Sequence, residues 1–321
     1  MKKEKKVGAI QVLIYLHNLT VHMKRIATIS LLISLQSISG CGDFQRSNGE
    51  EIHATPNSTP LFKDFSSLVL PDELEFCGEK IKLKNSELRE RAEREFLLNI
   101  QQPGQLLLYF KRAGRYFSLF ESALKKEKMP DDLKYLPVAE SALYMARSGK
   151  DAVGLWQFMP ETARTFGLQV DDFIDERRHP EKSTYAALAY LRGGHRRFRS
   201  WLMAAAGYNM GYSGLENDCT YQNTEKFDEL YLNEETSRYV FRIAIIKYIF
   251  EHRDELGFHL NPYEPMPEDK VITVNDEIPN ISAWAQQHAT TYKSIKLNNP
   301  WILKRSLPKP KHSPYKIIVA Q

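Results

Sequence analysis

The sequence holds three cysteines in 321 residues, no cysteine–histidine spacing of the kind that binds zinc, and no glycine-rich loop able to cradle a phosphate. It also lacks a basic block: 44 Lys and Arg stand against 40 Asp and Glu, a formal net charge of +4. These absences exclude a zinc-stapled module and a nucleotide enzyme, and they argue against nucleic acid as a partner. No cofactor and no metal are expected. The apolar run Ile26 to Leu35 is too short for an ordinary membrane span. What is present is ordinary globular material, 42% hydrophobic and 26% charged, enough for one sizeable domain and a smaller one. The mild positive charge would suit an anionic surface such as a cell wall or membrane, and equally a plain solvated surface.

The N-terminal region carries a targeting pattern. Met23-Lys-Arg25 precedes the apolar run, and Gln36-Ser-Ile-Ser-Gly40 leads to Cys41, the parts of a secretory signal. Ile38-Ser39-Gly40-Cys41 resembles a bacterial lipobox, which implies that Cys41 becomes a lipidated first residue anchoring the chain to a membrane. Gly42, which is not aspartate, implies the periplasmic face of the outer membrane. Residues 1–22 hold a second apolar patch, Val7 to Leu16, that such a signal does not need; we read Met23 as the start and residues 1–40 as upstream extension plus signal. From 41 to 70 the composition is that of a tether. Cys77 and Cys219 remain, either as one disulfide or as two free thiols.

Helical spacing dominates the chain beyond the tether. Residues 71–130 read as an N-terminal helical segment, with Leu88, Ala92, Phe96 and Leu97, then Tyr109, Ala113, Tyr116, Phe117 and Phe120, recurring on either side of Pro103-Gly104. A helix is predicted over Asp131–Met145, and others over Glu161–Phe166, Pro180–Arg199, Trp201–Tyr208 and Glu235–His252. Arg147–Val153 and Met210–Asn233 are left as loops long enough to carry function. Residues 257–269 form a proline-rich linker. Residues 270–321 then read as strand, helix, helix and strand: Lys270–Val274, Ile281–His288, Tyr292–Leu297 and Lys316–Ala320.

Within residues 131–256 one acid stands out. Glu140 is the only carboxylate in the apolar part of its helix, where burial raises the pKa toward that of a working general acid. Four segments in order surround it: Leu136-Pro-Val-Ala-Glu-Ser-Ala142, Ala152-Val-Gly-Leu-Trp-Gln-Phe-Met-Pro160, Ala206-Gly-Tyr-Asn-Met-Gly211 and Glu235-Thr-Ser-Arg-Tyr-Val240. Together they resemble the soluble lytic transglycosylase (SLT) domain of glycoside hydrolase family 23, with Gly207 standing where that family usually has alanine.

The resemblance implies a mainly α, lysozyme-like catalytic domain that acts on peptidoglycan glycan strands. Glu140 would serve first as acid and then as base, and the product would be a 1,6-anhydromuramoyl end. Most glycosidases need two carboxylates; here the sugar's own 6-hydroxyl would be the nucleophile, favoured by its high effective concentration. The resemblance further implies sugar-binding roles for Ser141, Ser148, Gln157, Met159 as an apolar floor, Tyr208, Asn209, Glu235 and Tyr239. Two rival readings are a goose-type lysozyme-like hydrolase, with Asp171, Asp172 or Asp175 activating water, and a non-catalytic wall-binding lipoprotein. His179, His195 and the Arg192–Arg199 cluster read as solvated surface. Leu297-Asn-Asn-Pro300 and its topology make the C-terminal unit resemble a LysM-type glycan-binding module, with a packing role as the alternative.

Overall fold

A computed structural model describes residues 69–266 and 270–319. The signal, the Met23 start, Cys41 and nearly all of the tether lie outside the described residues. Among those residues no helix is long and apolar enough to cross a membrane.

The described residues begin with a hairpin rather than a helix. β1 (Glu73–Phe76) and β2 (Glu79–Lys82) pair antiparallel with Glu73 opposite Lys82. Leu74, Phe76 and Ile81 alternate with charged residues and point inward, each at most 2% exposed. Cys77 and Gly78 make the two-residue turn with φ of 56° and 81°, the positive values a tight hairpin demands. The hairpin also caps a helix more than a hundred residues further along the chain. The Glu79 carboxylate accepts from Ser200 Oγ (2.6 Å) and from the Trp201 amide, where that helix starts.

Two long helices come next, α1 (Ser86–Ile100) and α2 (Pro103–Glu127). Leu88, Ala92 and Phe96 are buried as the spacing predicts, whereas Leu97 is 53% exposed. The single helix predicted over Asp131–Met145 is broken. A 3-10 turn spans Asp131–Tyr135 and α3 spans only Leu136–Ser141. Pro137 has no N–H to continue an α ladder from the turn, so the helix restarts there. It stops because Ala142 and Leu143 both adopt left-handed backbone, each at φ 54°.

α4 (Pro160–Thr165), α5 (Pro180–Phe198), α6 (Trp201–Met210) and α8 (Glu234–Glu251) fall close to the predicted spans. Met210–Asn233 is not one loop, for α7 occupies Tyr212–Gln222. Helix α8 runs through the core of the described helical region. Phe241, Ile243, Ala244, Ile245, Ile246 and Ile249 are each at most 1% exposed, so apolar residues cover it almost all round. α1, α3, α6 and β1 pack against it. Its two inward arginines are neutralised: Arg238 and Arg242 both donate to Glu95 of α1, at 2.6 and 3.2 Å, and Glu95 is 2% exposed.

In the C-terminal unit β3 (Val271–Val274) pairs antiparallel with β4 (Tyr315–Ile318), flanking α9 (Ile281–Gln287) and α10 (Tyr292–Asn298). Asn299, fully buried, donates to Ile295 O and Ile318 O and accepts from the Ile318 amide, fastening α10 to β4. Asn299, the second asparagine of the Leu297–Pro300 segment, is therefore a structural clip.

Of the two alternatives for Cys77 and Cys219, the structure has the second: both are free thiols, one in the hairpin turn and the other buried on α7. Burial pushes both thiols upward, keeping them protonated and unreactive. His179 is half-buried, stacks on Trp301 (5.9 Å between ring centres), and burial pulls its pKa down to about 4. His195 stacks on Trp201 at 4.0 Å. The arginine cluster is not simply solvated: Arg192 pairs with Glu127 at 2.5 Å and Arg197 with Glu216.

Gly207 has a local explanation. A Cβ there would overlap the ring of Tyr212, which also fills the space beside Gly194 and donates to Tyr190 O at 3.2 Å. Helix propensity alone would make Gly207→Ala stabilising by about 1 kcal/mol. Overpacking against the tyrosine reverses the sign, for a net loss of about 1–2 kcal/mol read by thermal denaturation. Adding Tyr212→Leu should recover most of it, and a double-mutant cycle with no coupling would refute the explanation.

Candidate active site

Glu140 stands in the last turn of α3, just before the left-handed pair that reverses the chain. Its carboxylate accepts from the Tyr239 hydroxyl of α8 at 2.6 Å. Burial pushes its pKa from 4.5 up to about 7; the Tyr239 bond and the Arg242 charge pull it down, and the Glu235 charge raises it. The acid is thus half protonated near neutral pH, the range in which a general acid works best. Burial pushes the Tyr208 and Tyr239 phenols well above their usual value, so both are neutral donors.

A tight loop faces this helix. Val153 and Phe158 exchange backbone hydrogen bonds at 3.1 and 3.2 Å, closing the segment that carries Gly154 and Gln157. Gly154 has φ 89° and Gln157 φ 49°, two positive values within four residues. Side chains from three helices pin it. Ser141 Oγ reaches Leu155 O (2.8 Å), Tyr208 Oη donates to Trp156 O (2.7 Å), and Trp156 Nε1 donates to Thr184 Oγ1 (3.0 Å). Gln157 Nε2 donates to Gly154 O (2.8 Å) and reaches Ala146 O (3.3 Å).

The structure therefore brings Glu140, Tyr239, Tyr208 and Glu235 into one electrostatic neighbourhood, sets Gln157 on the loop that Ser141 and Tyr208 pin, and sorts the rest. Asn209 follows Tyr208 on α6, and its Oδ1 accepts from Thr236 Oγ1 at 2.8 Å. Thr236 was not singled out from the sequence, although it lies inside the fourth motif. Glu235 is exposed at the start of α8. Ser141 is buried, its hydroxyl between Pro137 O and Leu155 O, and so braces the loop rather than facing a ligand. Ser148 is exposed and its Oγ accepts from the amides of Lys150 and Ala152, closing a turn. Met159 heads α4 at 44% exposure, an open apolar surface rather than a buried floor.

Residues 117–231 match the family model described as the transglycosylase SLT domain, and residues 270–321 match the soluble lytic transglycosylase C-terminal LysM-like domain. The chain carries an SLT domain. The matched span of that domain contains Glu140, the Gly154–Gln157 loop, Tyr208 and Asn209, while Glu235, Thr236 and Tyr239 lie just beyond it on α8. The mainly helical class expected of an SLT domain is the class observed. Membrane-bound lytic murein transglycosylase D of Escherichia coli (strain K12) is 30% identical over 236 residues, covering 70% of this chain and 50% of that one. The chain thus spans about half the length of the curated relatives it matches. Among solved structures, the 70 kDa soluble lytic transglycosylase of Escherichia coli aligns at 21% identity over 53% of this chain and 30% of its own, with a TM-score of 0.39. An inactive mutant of lytic transglycosylase Slt from Pseudomonas aeruginosa aligns at 25% identity over 43% of this chain and 24% of its own, with a TM-score of 0.37.

Proposed function

We propose that this chain cleaves the β-1,4 bond between N-acetylmuramic acid and N-acetylglucosamine in peptidoglycan, without hydrolysis, leaving a 1,6-anhydromuramoyl end. The observation that carries the reading is Glu140: a carboxyl raised to about 7 by burial and held by Tyr239. Two of the three aspartates that a hydrolase would enlist are committed elsewhere. Asp171 accepts from the Phe173 and Ile174 amides and from Gln169, and those bonds hold its carboxyl below the usual range. Asp175 is 4% exposed and gripped by Arg177 at 2.8 and 3.0 Å. Asp172 is exposed on the same loop, which docks on the C-terminal unit through Leu303 N and Phe173 O (2.8 Å).

In this reading protonated Glu140 gives its proton to the glycosidic oxygen, and that bond breaks toward an oxocarbenium-like state. The resulting carboxylate takes the proton of the muramic 6-hydroxyl as that oxygen bonds to the anomeric carbon. Tyr239 fixes the carboxyl for both transfers. Gln157, Tyr208 and Asn209 hold the sugar and its acetamide, with Met159 and Ser148 at the rim. Glu235 keeps the acid protonated at neutral pH by its negative charge. Lipidation of Cys41 would place the enzyme at the periplasmic face of the outer membrane, tethered beside its substrate, and the LysM-like domain would add contact with glycan.

Digesting purified peptidoglycan and reading the fragments by mass spectrometry tests this. Anhydromuramoyl ends support it, reducing ends establish hydrolysis instead, and no fragments would favour a binding protein. Tyr239→Phe gives a finer check. The lost bond favoured the carboxylate, so the Glu140 pKa rises further. The alkaline limb of the pH–rate profile should then move up by about one unit. As the carboxyl loses its fixed orientation, kcat should fall on the order of tenfold. A limb that stays in place would show that Tyr239 does not act on Glu140.

A further inference from the structure

The loop that carries Gln157 is clasped from beneath by one buried arginine. Arg177 Nη1 donates to Asp151 O at 2.7 Å and to Phe158 O at 3.1 Å, the two ends of the loop. Its Nε and Nη2 grip the Asp175 carboxylate, and both residues are 4% exposed. The loop also wraps over the Arg177 backbone, since a Cβ on Gly154 would overlap the Arg177 carbonyl. Only a planar guanidinium can serve a carboxylate with one edge and two carbonyls with the remaining nitrogen; a lysine ammonium has neither the reach nor the fork.

Asp175 is in turn held by the C-terminal unit. Its amide donates to Trp301 O at 2.9 Å, and Ile174 pairs with Ile302. Ile174, fully buried, belongs to the apolar core that Ile281, Ile295 and Trp301 form in that unit. A continuous chain of contacts therefore runs from the C-terminal core through Ile174 and Asp175 to Arg177, and from there to both ends of the loop.

We propose that Arg177 is a positioning residue for the reaction and that the LysM-like domain is part of the active site's support. Its role would then not be confined to holding glycan. The proposal rests on the function proposed above only for its kinetic part. A buried ion pair is an expensive way to fill space, because both ions lose hydration. Here its fork sets the spacing of two carbonyls whose loop receives Ser141 and Tyr208 and presents Gln157.

The test uses the full chain, with amide hydrogen exchange over Asp151–Phe158 and steady-state kinetics on purified peptidoglycan. Arg177→Lys keeps the charge and loses the fork; Asp175→Asn is isosteric and decides by the same criteria if the first variant does not fold. Both should speed exchange in the loop while α8 keeps its protection. Turnover should fall on the order of a hundredfold, the cost of misplacing catalytic groups by about 1 Å. KM should stay within about twofold, since the loss lies in the transition state. Wild-type protection of the loop, or a raised KM with unchanged kcat, would overturn the role of Arg177. Ile174→Ala extends the test: exchange should rise both at Trp301–Leu303 and at Asp151–Phe158, and a rise confined to the former overturns the supporting role of the C-terminal unit. A wild type that yields reducing ends would sink the proposed product alone, because exchange and turnover would still read the clasp.

Discussion

Glu140→Gln should abolish release of anhydromuramoyl fragments and, above pH 7, leave the protein more stable than the unaltered chain. The first half follows from chemistry: an amide has no proton to give to the leaving oxygen and cannot take one from the 6-hydroxyl. Each such transfer is worth about 10²–10⁴ in rate, and one residue performs both. The second half follows from linkage. Burial raises the native pKa from 4.5 to about 7, so between those values the folded state keeps a proton that the unfolded chain has lost. Stability therefore falls as pH rises through that window and levels off above it. A shift of this size costs up to about 3 kcal/mol once the carboxyl is ionised. Glutamine carries no charge to desolvate, and its carbonyl oxygen can still accept from Tyr239. Chemical denaturation at pH 4.5, 6 and 8 should show the variant gaining on the wild type as pH rises. A gap that does not change with pH would mean that burial is not what holds the acid up, and an active glutamine variant would refute the assignment outright.

What the sequence made legible was the chemistry-bearing segments and the amphipathic helices. Helices α5, α6 and α8 were visible because each runs long enough for spacing and end signals to agree, as with Pro180 at the start of α5. Glu140, Tyr208 and Tyr239 lie in short motifs, and the structure sets both tyrosines beside the acid, with Gln157 on the loop that Tyr208 pins. The hairpin at residues 73–82 was missed because four-residue strands give little period to read, although Leu74, Phe76 and Ile81 alternate as they should. The broken helix at 131–141 was missed because apolar spacing runs smoothly through it; the signal was Pro137, read as part of a motif instead of a restart. Ser141 was misplaced for a different reason. A hydroxyl's partner is set by tertiary packing, and that of Ser141 turned out to serve the carbonyls of Pro137 and Leu155. The arginine clasp was invisible for the same cause, since the carbonyls of Asp151 and Phe158 lie 26 and 19 residues from Arg177.

Gly154→Ala is expected to be the most damaging change outside Glu140, and it separates the loop's geometry from its chemistry. The position has φ 89°, where an alanine is strained whatever surrounds it. The space is also taken: the added methyl would overlap the carbonyl of Arg177, a backbone group that is itself fixed between Asp175 and the loop. Neither party can swing aside as a side chain could, so the two costs add to at least about 3 kcal/mol. In a domain of this size that lowers Tm by about 6–12 °C. The catalytic loss should be larger in proportion, because relief can come only by moving the loop, and with it Gln157 and the carbonyls that Ser141 and Tyr208 bind. A displacement of about 1 Å would remove on the order of a hundredfold in kcat. Gly193→Ala is the matched control: a Cβ there meets nothing within 4 Å, its φ is not positive, and it lies inside helix α5. That variant should gain up to about 1 kcal/mol and keep full activity. If Gly154→Ala instead melts and turns over like the control, the loop has room that the backbone at Arg177 denies it, and the clasp cannot be what sets the loop's place beside Glu140.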